Sequence, residues 1–390
     1  MSTVGKKKTI LLIRNVAKTD FGGAETYPVS LAKILKDNGF APIVITRSQK
    51  LLQYTSDNNI ASYKGWWWSR QNWSGRKTLL FPVYILWQVA LTAWYASLIL
   101  KTRADILHIQ SKDDFIAGTF AARILGKKVV WTDHMDLRYV FENVTHPFRN
   151  PVGKFVLFAG KFADHIILIS ENEYRLVTGH LRRASLKKQL TIVKNGVIDH
   201  YSTVNKKRKN KQFTFCLASR VVTNKGIGEA INAFLELEKM TTPDAVRLAI
   251  YGDGPEINRF KKAASASKNI TFYGHQANAI EKVAESDVYI LPSYQEGFSI
   301  ALLEASMLGK AIIASNVDSN PEIIHDKISG ILIPPRDVKS LSEAMYKMLT
   351  EPEQKLSMEK KIRDNFEKHF NLTVIVEKEI IPLYTNNEDA

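Results

Sequence analysis

In the stretch QEGFSIALLEASMLGKAIIAS, residues 295–315, Glu296 and Glu304 stand eight positions apart in a run that is otherwise almost wholly apolar. If a helix begins near Gly297, then Phe298, Ala301, Leu302, Ala305 and Leu308 form one apolar stripe. Glu304 then has Ile300, Met307 and Leu308 as its neighbours about one turn away. Burying an unpaired carboxylate is costly, so a glutamate in that place calls for a partner. Glu296 sits at the helix entrance, beside free amide groups. The alternative is a capping Glu296 and a surface Glu304.

Other residues that can do chemistry stand just after short apolar runs. In LASRVVTNKGIGEA, Arg220 and Lys225 lie on a loop that opens a helix. Two cations there can grip a diphosphate, arginine as a bidentate donor and lysine as a point charge, or they are simply two exposed basic residues. In RNVAKTDFGGAET, Gly22 and Gly23 allow a tight turn before a helix whose free amides suit phosphate; a plain turn reads equally well. AIYGDGPE and TFYGHQAN each place glycine after a strand, where backbone can pass close to a flat ligand. Neither is a G-x-G-x-x-G fingerprint or a P-loop, which lowers the case for a dinucleotide or ATP site.

These loops need a scaffold that gathers them. Six short apolar runs occur in the first half of the 390 residues and six in the second, with helix-like segments between many of them. That alternation argues for an α/β fold with parallel sheets. Twelve strands are too many for one ordinary sheet, so two Rossmann-like domains facing across a cleft are expected. The expected boundaries are a first domain over 1–203, a charged linker over 204–211 containing KKRKNK, a second domain over 212–370, and a C-terminal segment, 371–390, packing back on the first. In such sheets ligands bind at the carboxyl ends of the strands.

Composition is that of a globular protein, 45% hydrophobic and 24% charged. The single cysteine, Cys216, excludes an internal disulfide and suits a reducing compartment. MSTVGKKKTILLIRNV reads as a first strand rather than a secretory signal. A formal charge of +15 points to an anionic partner: nucleic acid, an anionic membrane or a phosphorylated ligand.

Taken together, GGAE, NGV, SR followed by KG, YGDGPE and EGFSIALLEA, in that order over nearly the whole chain, resemble the GT-B glycosyltransferases with an E-x7-E motif, the family 4 or group 1 type. The resemblance implies a retaining enzyme that uses a nucleotide-diphosphate sugar. The roughly 12 Å that eight helical residues span is about the reach from the hexose to the ribose of such a donor. Glu296 would bind hydroxyls of the donor sugar and Glu304 the ribose. Arg220 and Lys225 would hold the diphosphate together with amides around Gly297, Phe298 and Ser299, and Gly22 and Gly23 would lie against it. His134, ending VVWTDH, matches the family histidine that approaches the reacting sugar, and Gly274 and His275 fall where the backbone meets the base. NGVID in place of the commoner NGVD is one departure. No D-x-D triplet occurs, so neither a metal nor another cofactor is expected.

From Thr78 to Leu100 no charge appears, a length compatible with a bilayer span, a core helix or an interfacial one. Just before it, Trp66, Trp67, Trp68 and Trp73 stand among Lys64, Arg70, Arg76 and Lys77, a mixture that favours anionic headgroups. The expected enzyme therefore works in the cytoplasm, peripherally on the inner membrane face, on a lipid-linked glycan acceptor in cell-surface polysaccharide or lipopolysaccharide synthesis, with no nucleic-acid partner. A soluble small-molecule acceptor is the alternative. A basic nucleic-acid-binding Rossmann protein is the alternative of another class.

Overall fold

The short apolar runs become parallel strands. The computed structural model describes residues 7–15, 23–65, 81–134, 151–180, 186–204, 212–242, 244–276 and 278–385. The first sheet contains β1 (Thr9–Ile13), β2 (Ala41–Thr46), β3 (Ala61–Lys64), β4 (Ile106–Ile109), β5 (Lys128–Asp133), β6 (His165–Leu168) and β7 (Leu190–Ile192), in the order β3-β2-β1-β4-β5-β6-β7. The second contains β8 (Phe213–Ala218), β9 (Val246–Tyr251), β10 (Ile270–Gly274), β11 (Val288–Leu291), β12 (Ala311–Ser315) and β13 (Ile331–Ile333), in the order β10-β9-β8-β11-β12-β13. Every pairing between neighbours is parallel. Every residue of β4, β11 and β12 is buried. Successive side chains point to opposite faces, so both faces of these strands are covered, as a parallel sheet requires.

The chain divides into two units, residues 1–195 with 372–390 and residues 196–371. Residues 196–203 thus go with the second unit: Val197 N donates to Phe370 O at 3.1 Å, and Arg363 forks onto Asp199 at 2.6 and 3.0 Å. Lys206–Lys211, read as linker, lie outside the described residues. The first sheet has seven strands where six were expected. The extra one, β3, is an edge strand of sequence ASYK with no buried residue, so it carries no apolar signature.

The C-terminal segment Leu372–Thr385 is tied into the first unit. Tyr384 is 2% exposed, and its hydroxyl meets His108 Nδ1 at 2.6 Å. The other imidazole nitrogen of His108 meets Thr132 Oγ1 at 2.6 Å. Lys128 Nζ donates to the carbonyls of Leu383 and Tyr384 at 3.4 and 3.1 Å.

The apolar stretch between β3 and β4 forms the helix Phe81–Thr102, long and apolar enough to cross a membrane by composition. Tyr84, Gln88, Leu91, Tyr95, Leu98 and Ile99 form its buried face, which packs against the helix Phe115–Ile124. The strands on either side of it belong to one sheet, so the helix is a crossover of the folded unit. Its opposite face is apolar and exposed: Val83, Leu86, Val89 and Leu100 are each more than half accessible.

Burial pushes His108 down to about 3, so the folded protein keeps a neutral imidazole where the unfolded chain takes up a proton near pH 6.5. Its contribution to stability is therefore present above pH 6.5 and is lost as the pH falls from there toward 3. Tyr384→Phe strands one nitrogen of that buried ring and is expected to cost about 1–3 kcal/mol, read as a lower urea midpoint at pH 7.5.

Candidate active site

Both loops that leave the central strands of the second sheet carry the charged residues singled out in the sequence. β8 runs into Ser219 and Arg220, then a tight turn, Thr223–Lys225, then the helix Ile227–Lys239. β11 runs into Pro292, Ser293 and the loop holding Glu296. The loops touch. Tyr294 N donates to Asn224 O at 2.9 Å, and Gly226 lies so close that a Cβ there would sit 2.0 Å from Pro292 O. Gly226 also has φ +67, a conformation that favours glycine.

On this contact Lys225 Nζ meets Glu296 Oε1 at 2.7 Å, and Ser293 Oγ donates to the same oxygen at 2.6 Å. The Glu296 side chain is only 7% exposed. Its backbone amide donates to Asp318 Oδ2 at 2.8 Å, and Ser319 Oγ donates to Gly297 O. Glu296 is thus held at both ends, by side chains from three strand ends. Arg220 differs: its side chain is exposed and has no ion-pair partner among the described residues.

The turn carrying Lys225 is fixed from the β9 side. Glu256 accepts from Thr223 N at 2.5 Å and Thr223 Oγ1 at 2.6 Å, and Arg259 Nη1 donates to it at 2.8 Å. These bonds lower the Glu256 carboxyl below its usual range. The glycines of YGDGPE serve the packing of loops, since Gly252, at φ +128, would place a Cβ 1.8 Å from Ser219 O. They bring the β9 loop against the β8 loop instead of against a flat ligand. Gly274, at φ +68, faces open space, with exposed His275 after it.

The helix expected near Gly297 begins at Ile300, with Ser299 as its N-cap accepting from Leu302 N at 3.3 Å. Phe298 is a core residue, 6% exposed and packed on Phe370 at 6.0 Å between ring centroids. Gly297, Phe298 and Ser299 therefore form the entry to the helix rather than its first turn.

In the first unit Gly23 opens the helix Gly23–Asp37, while Gly22 lies outside the described residues. His134 follows β5 directly. Tyr27, one turn into the glycine-led helix, meets the His134 ring edge-on at 4.7 Å, so two of the sequence-predicted features are neighbours. Burial, with Arg14 and His108 adding to it, pushes His134 well below the usual histidine range, so the ring is neutral. Ser293, Asp318, Ser319 and Glu256 were not singled out from sequence. The first three follow strands directly, which is the signal that could have found them. Among the described residues no group of three or more His, Cys, Asp or Glu is arranged to hold a metal ion.

Two family models match the chain in tandem, Glycosyltransferase Family 4 over residues 21–200 and Glycosyl transferases group 1 over residues 202–365. The chain belongs to these glycosyltransferases. The UDP-Gal:alpha-D-GlcNAc-diphosphoundecaprenol alpha-1,3-galactosyltransferase of Escherichia coli is 27% identical over 298 residues, covering 72% of this chain and 75% of that protein. A glycosyltransferase structure from Rickettsia africae superposes with a TM-score of 0.78 at 17% identity, covering 98% of this chain and 100% of that one. Anabaena HepE, solved with UDP and glucose, gives 0.70 at 16% identity, covering 96% and 99%. The fold is GT-B, with two parallel-sheet units.

In this glycosyltransferase Glu304 stands apart from Glu296. It lies on the helix Ile300–Met307 between buried Leu303 and Ala305, and its carboxyl has no partner among the described residues. Desolvation raises it to about 7. Above that pH the folded protein carries a poorly solvated charge that the unfolded chain hydrates freely, so its stability contribution is full below about pH 4.5 and lost as pH rises through 7. Glu304→Gln is expected to raise the melting temperature at pH 8 relative to wild type, with the gain vanishing near pH 4. Thermal melts across that range check it.

Proposed function

We propose that this glycosyltransferase transfers a hexose from a nucleotide-diphosphate sugar to a lipid-linked glycan acceptor, with retention and without a metal, in cell-surface polysaccharide or lipopolysaccharide synthesis. The observation that carries the donor assignment is the Lys225–Glu296–Ser293 cluster at 2.7 and 2.6 Å beside the unpaired Arg220. Arg220, Lys225 and the free amides at the start of the helix Ile300–Met307 supply positive potential for a leaving diphosphate. Glu296, already oriented, offers its carboxylate to sugar hydroxyls. The unpaired Glu304 offers an acceptor to the two hydroxyls of a ribose, and Gly274 and His275 lie on an open edge suited to a base. Gly23 and His134 would serve the reacting groups from the first unit. No covalent nucleophile is assigned.

The E. coli relative, whose name specifies a diphosphoundecaprenol acceptor, supports a lipid-linked substrate here. So does the exposed face of the helix Phe81–Thr102. The helices packed beside it in turn, Phe115–Ile124 and Pro151–Gly160, also expose apolar side chains, Ile124 and Phe158, with Phe162 just beyond. Exposed Lys101, Arg103, Lys154 and Lys161 border these residues. Apolar side chains rimmed by lysine and arginine fit an anionic lipid surface, so we place the enzyme peripherally at the cytoplasmic face. The Trp66–Trp73 stretch, the other candidate anchor, lies outside the described residues.

Three outcomes test this reading. In a panel of UDP-, GDP- and ADP-sugars with GlcNAc-diphospholipid acceptors, one donor should give transfer that persists in excess EDTA. Arg220→Ala should lower kcat/KM by about 100-fold or more, the scale of removing a charge-stabilising donor. A folded Arg220→Ala variant with full activity would overturn the donor assignment. In co-sedimentation with phosphatidylglycerol vesicles, Leu86→Asp combined with Val89→Asp should release most of the bound protein. Equal sedimentation would remove the helix face as an anchor.

A further inference from the structure

The ends of β1, β4 and β5 in the first unit hold a second polar cluster, separate from the donor residues. Gln110 N donates to Ile13 O at 2.8 Å, and Arg14 Nη1 donates to Gln110 O at 2.7 Å. Asn15 N donates to Ser111 Oγ at 3.2 Å, and His134 Nε2 lies 3.4 Å from Gln110 Oε1. Asn15 is 6% exposed and Gln110 2%. Yet both amide atoms of Asn15, Nε2 of Gln110 and Nδ1 of His134 have no hydrogen-bond partner among the described residues. Buried polar atoms in folded proteins are nearly always satisfied, and exceptions call for an explanation. Here four fall at one place, the point where β1 and β4 diverge, which is where an open parallel sheet receives its ligand.

The chemistry of the four atoms narrows the ligand. Asn15 offers one donor and one acceptor. The imidazole of His134 is neutral, so between it and Gln110 one amide atom and one ring nitrogen are left over. If Nε2 of His134 donates to Gln110 Oε1, the remainder is a Gln110 donor and a bare His134 Nδ1. With the amide turned and the other tautomer present, the remainder is a Gln110 acceptor and a His134 donor. Either way the pair presents one of each. The Arg14 guanidinium, held on Gln110 O, favours an oxygen-rich ligand, but a phosphate needs donors only, and the two acceptors among the four atoms would oppose it. A hydroxyl both gives and takes a hydrogen bond, so adjacent hydroxyls of a sugar ring satisfy all four atoms.

We infer that Asn15 and Gln110, with His134, form a pyranose-recognition subsite in the first unit that determines which sugar the enzyme handles. This rests on the transfer reading above. The pyranose is either the accepting sugar or the one being transferred, and kinetics separate the two. Wild type, Asn15→Ala and Gln110→Leu are compared with UDP-galactose and a GlcNAc-diphospholipid, or with whichever pair the donor panel selects. The KM for the substrate whose sugar occupies the subsite should rise at least ten-fold, with the other KM within two-fold and kcat changed less. A rise for the lipid acceptor places the accepting sugar there; a rise for the nucleotide sugar places the transferred one. Asn15→Ala should melt no lower than wild type, because both side-chain atoms it removes are unsatisfied, whereas a merely structural Asn15 would lower the melt. Gln110→Leu also takes the partner from His134 Nε2 and should melt somewhat lower, so its KM values are read on the folded fraction. If Gln110→Leu misfolds, Gln110→Met carries the same comparison. Unchanged KM values for both substrates in folded variants overturn the subsite and leave the transfer reading intact. A wild type inert toward every pair removes the transfer reading, and the subsite with it.

Discussion

In each sheet the chain lays strands outward in two directions from a central pair, β1 with β4 and β8 with β11. The loops that leave such a pair turn away from each other, and a gap opens at the carboxyl ends of the strands. The residues proposed to hold the diphosphate and the transferred sugar in the second unit derive from that divergence. Arg220 and Lys225 leave from β8, and Ser293 and Glu296 leave from β11. Side chains more than 65 residues apart in sequence are thereby neighbours. The packing that holds them is close: Gly226 rests on Pro292, Gly252 on Ser219, and Tyr289 donates its hydroxyl to Ala218 O at 3.2 Å.

The two glutamates of the opening motif are handled in opposite ways. Glu296 is largely covered, and Lys225 and Ser293 meet it on the same oxygen. Removing one partner leaves the other group without its compensation, at less than the roughly 3–5 kcal/mol of a fully buried pair, because the Lys225 side chain is 24% exposed. Glu304 is left without a partner and rises to about 7. An uncompensated carboxyl is a stability cost that a ligand with hydroxyls can relieve. Oriented where the sugar would react and unpaired where the ribose would bind, the carboxylates divide labour as geometry allows. Asn15 and Gln110 carry the same signature in the first unit, with amides in place of acids.

Much of this was legible in the sequence, because parallel strands buried on both faces leave uninterrupted apolar runs. All twelve runs are strands. The edge strand β3 escaped notice because ASYK buries nothing. That Arg220, Lys225 and Glu296 stand in strand-end loops was readable from their position after apolar runs, and Glu304 was marked by its apolar neighbours on the helix. Their roles toward a donor came from the family resemblance and are proposed. The supporting contacts were not legible. Standing after an apolar run marks Asp318 and Ser319 as strand-end residues, but their role as the clamp on the Glu296 loop exists only once β12 lies beside β11. Glycine in YGDGPE reads identically whether it approaches a ligand or another loop, and here it approaches a loop. Helix onset at Ile300 instead of Gly297 followed from Ser299 taking the cap.

The central claim is that Lys225 and Glu296 act as one unit in holding the donor. A double-mutant cycle on donor binding tests it most directly: wild type, Lys225→Ala, Glu296→Ala and the double variant, each titrated calorimetrically with the selected nucleotide sugar. Coupled residues in one ion-pair network are expected to give an interaction energy of about 1 kcal/mol or more. The double variant should then bind nearly as well as the weaker single one. Additive losses, within about 0.3–0.5 kcal/mol, would mean the two residues contact the donor independently or not at all, and would contradict the claim.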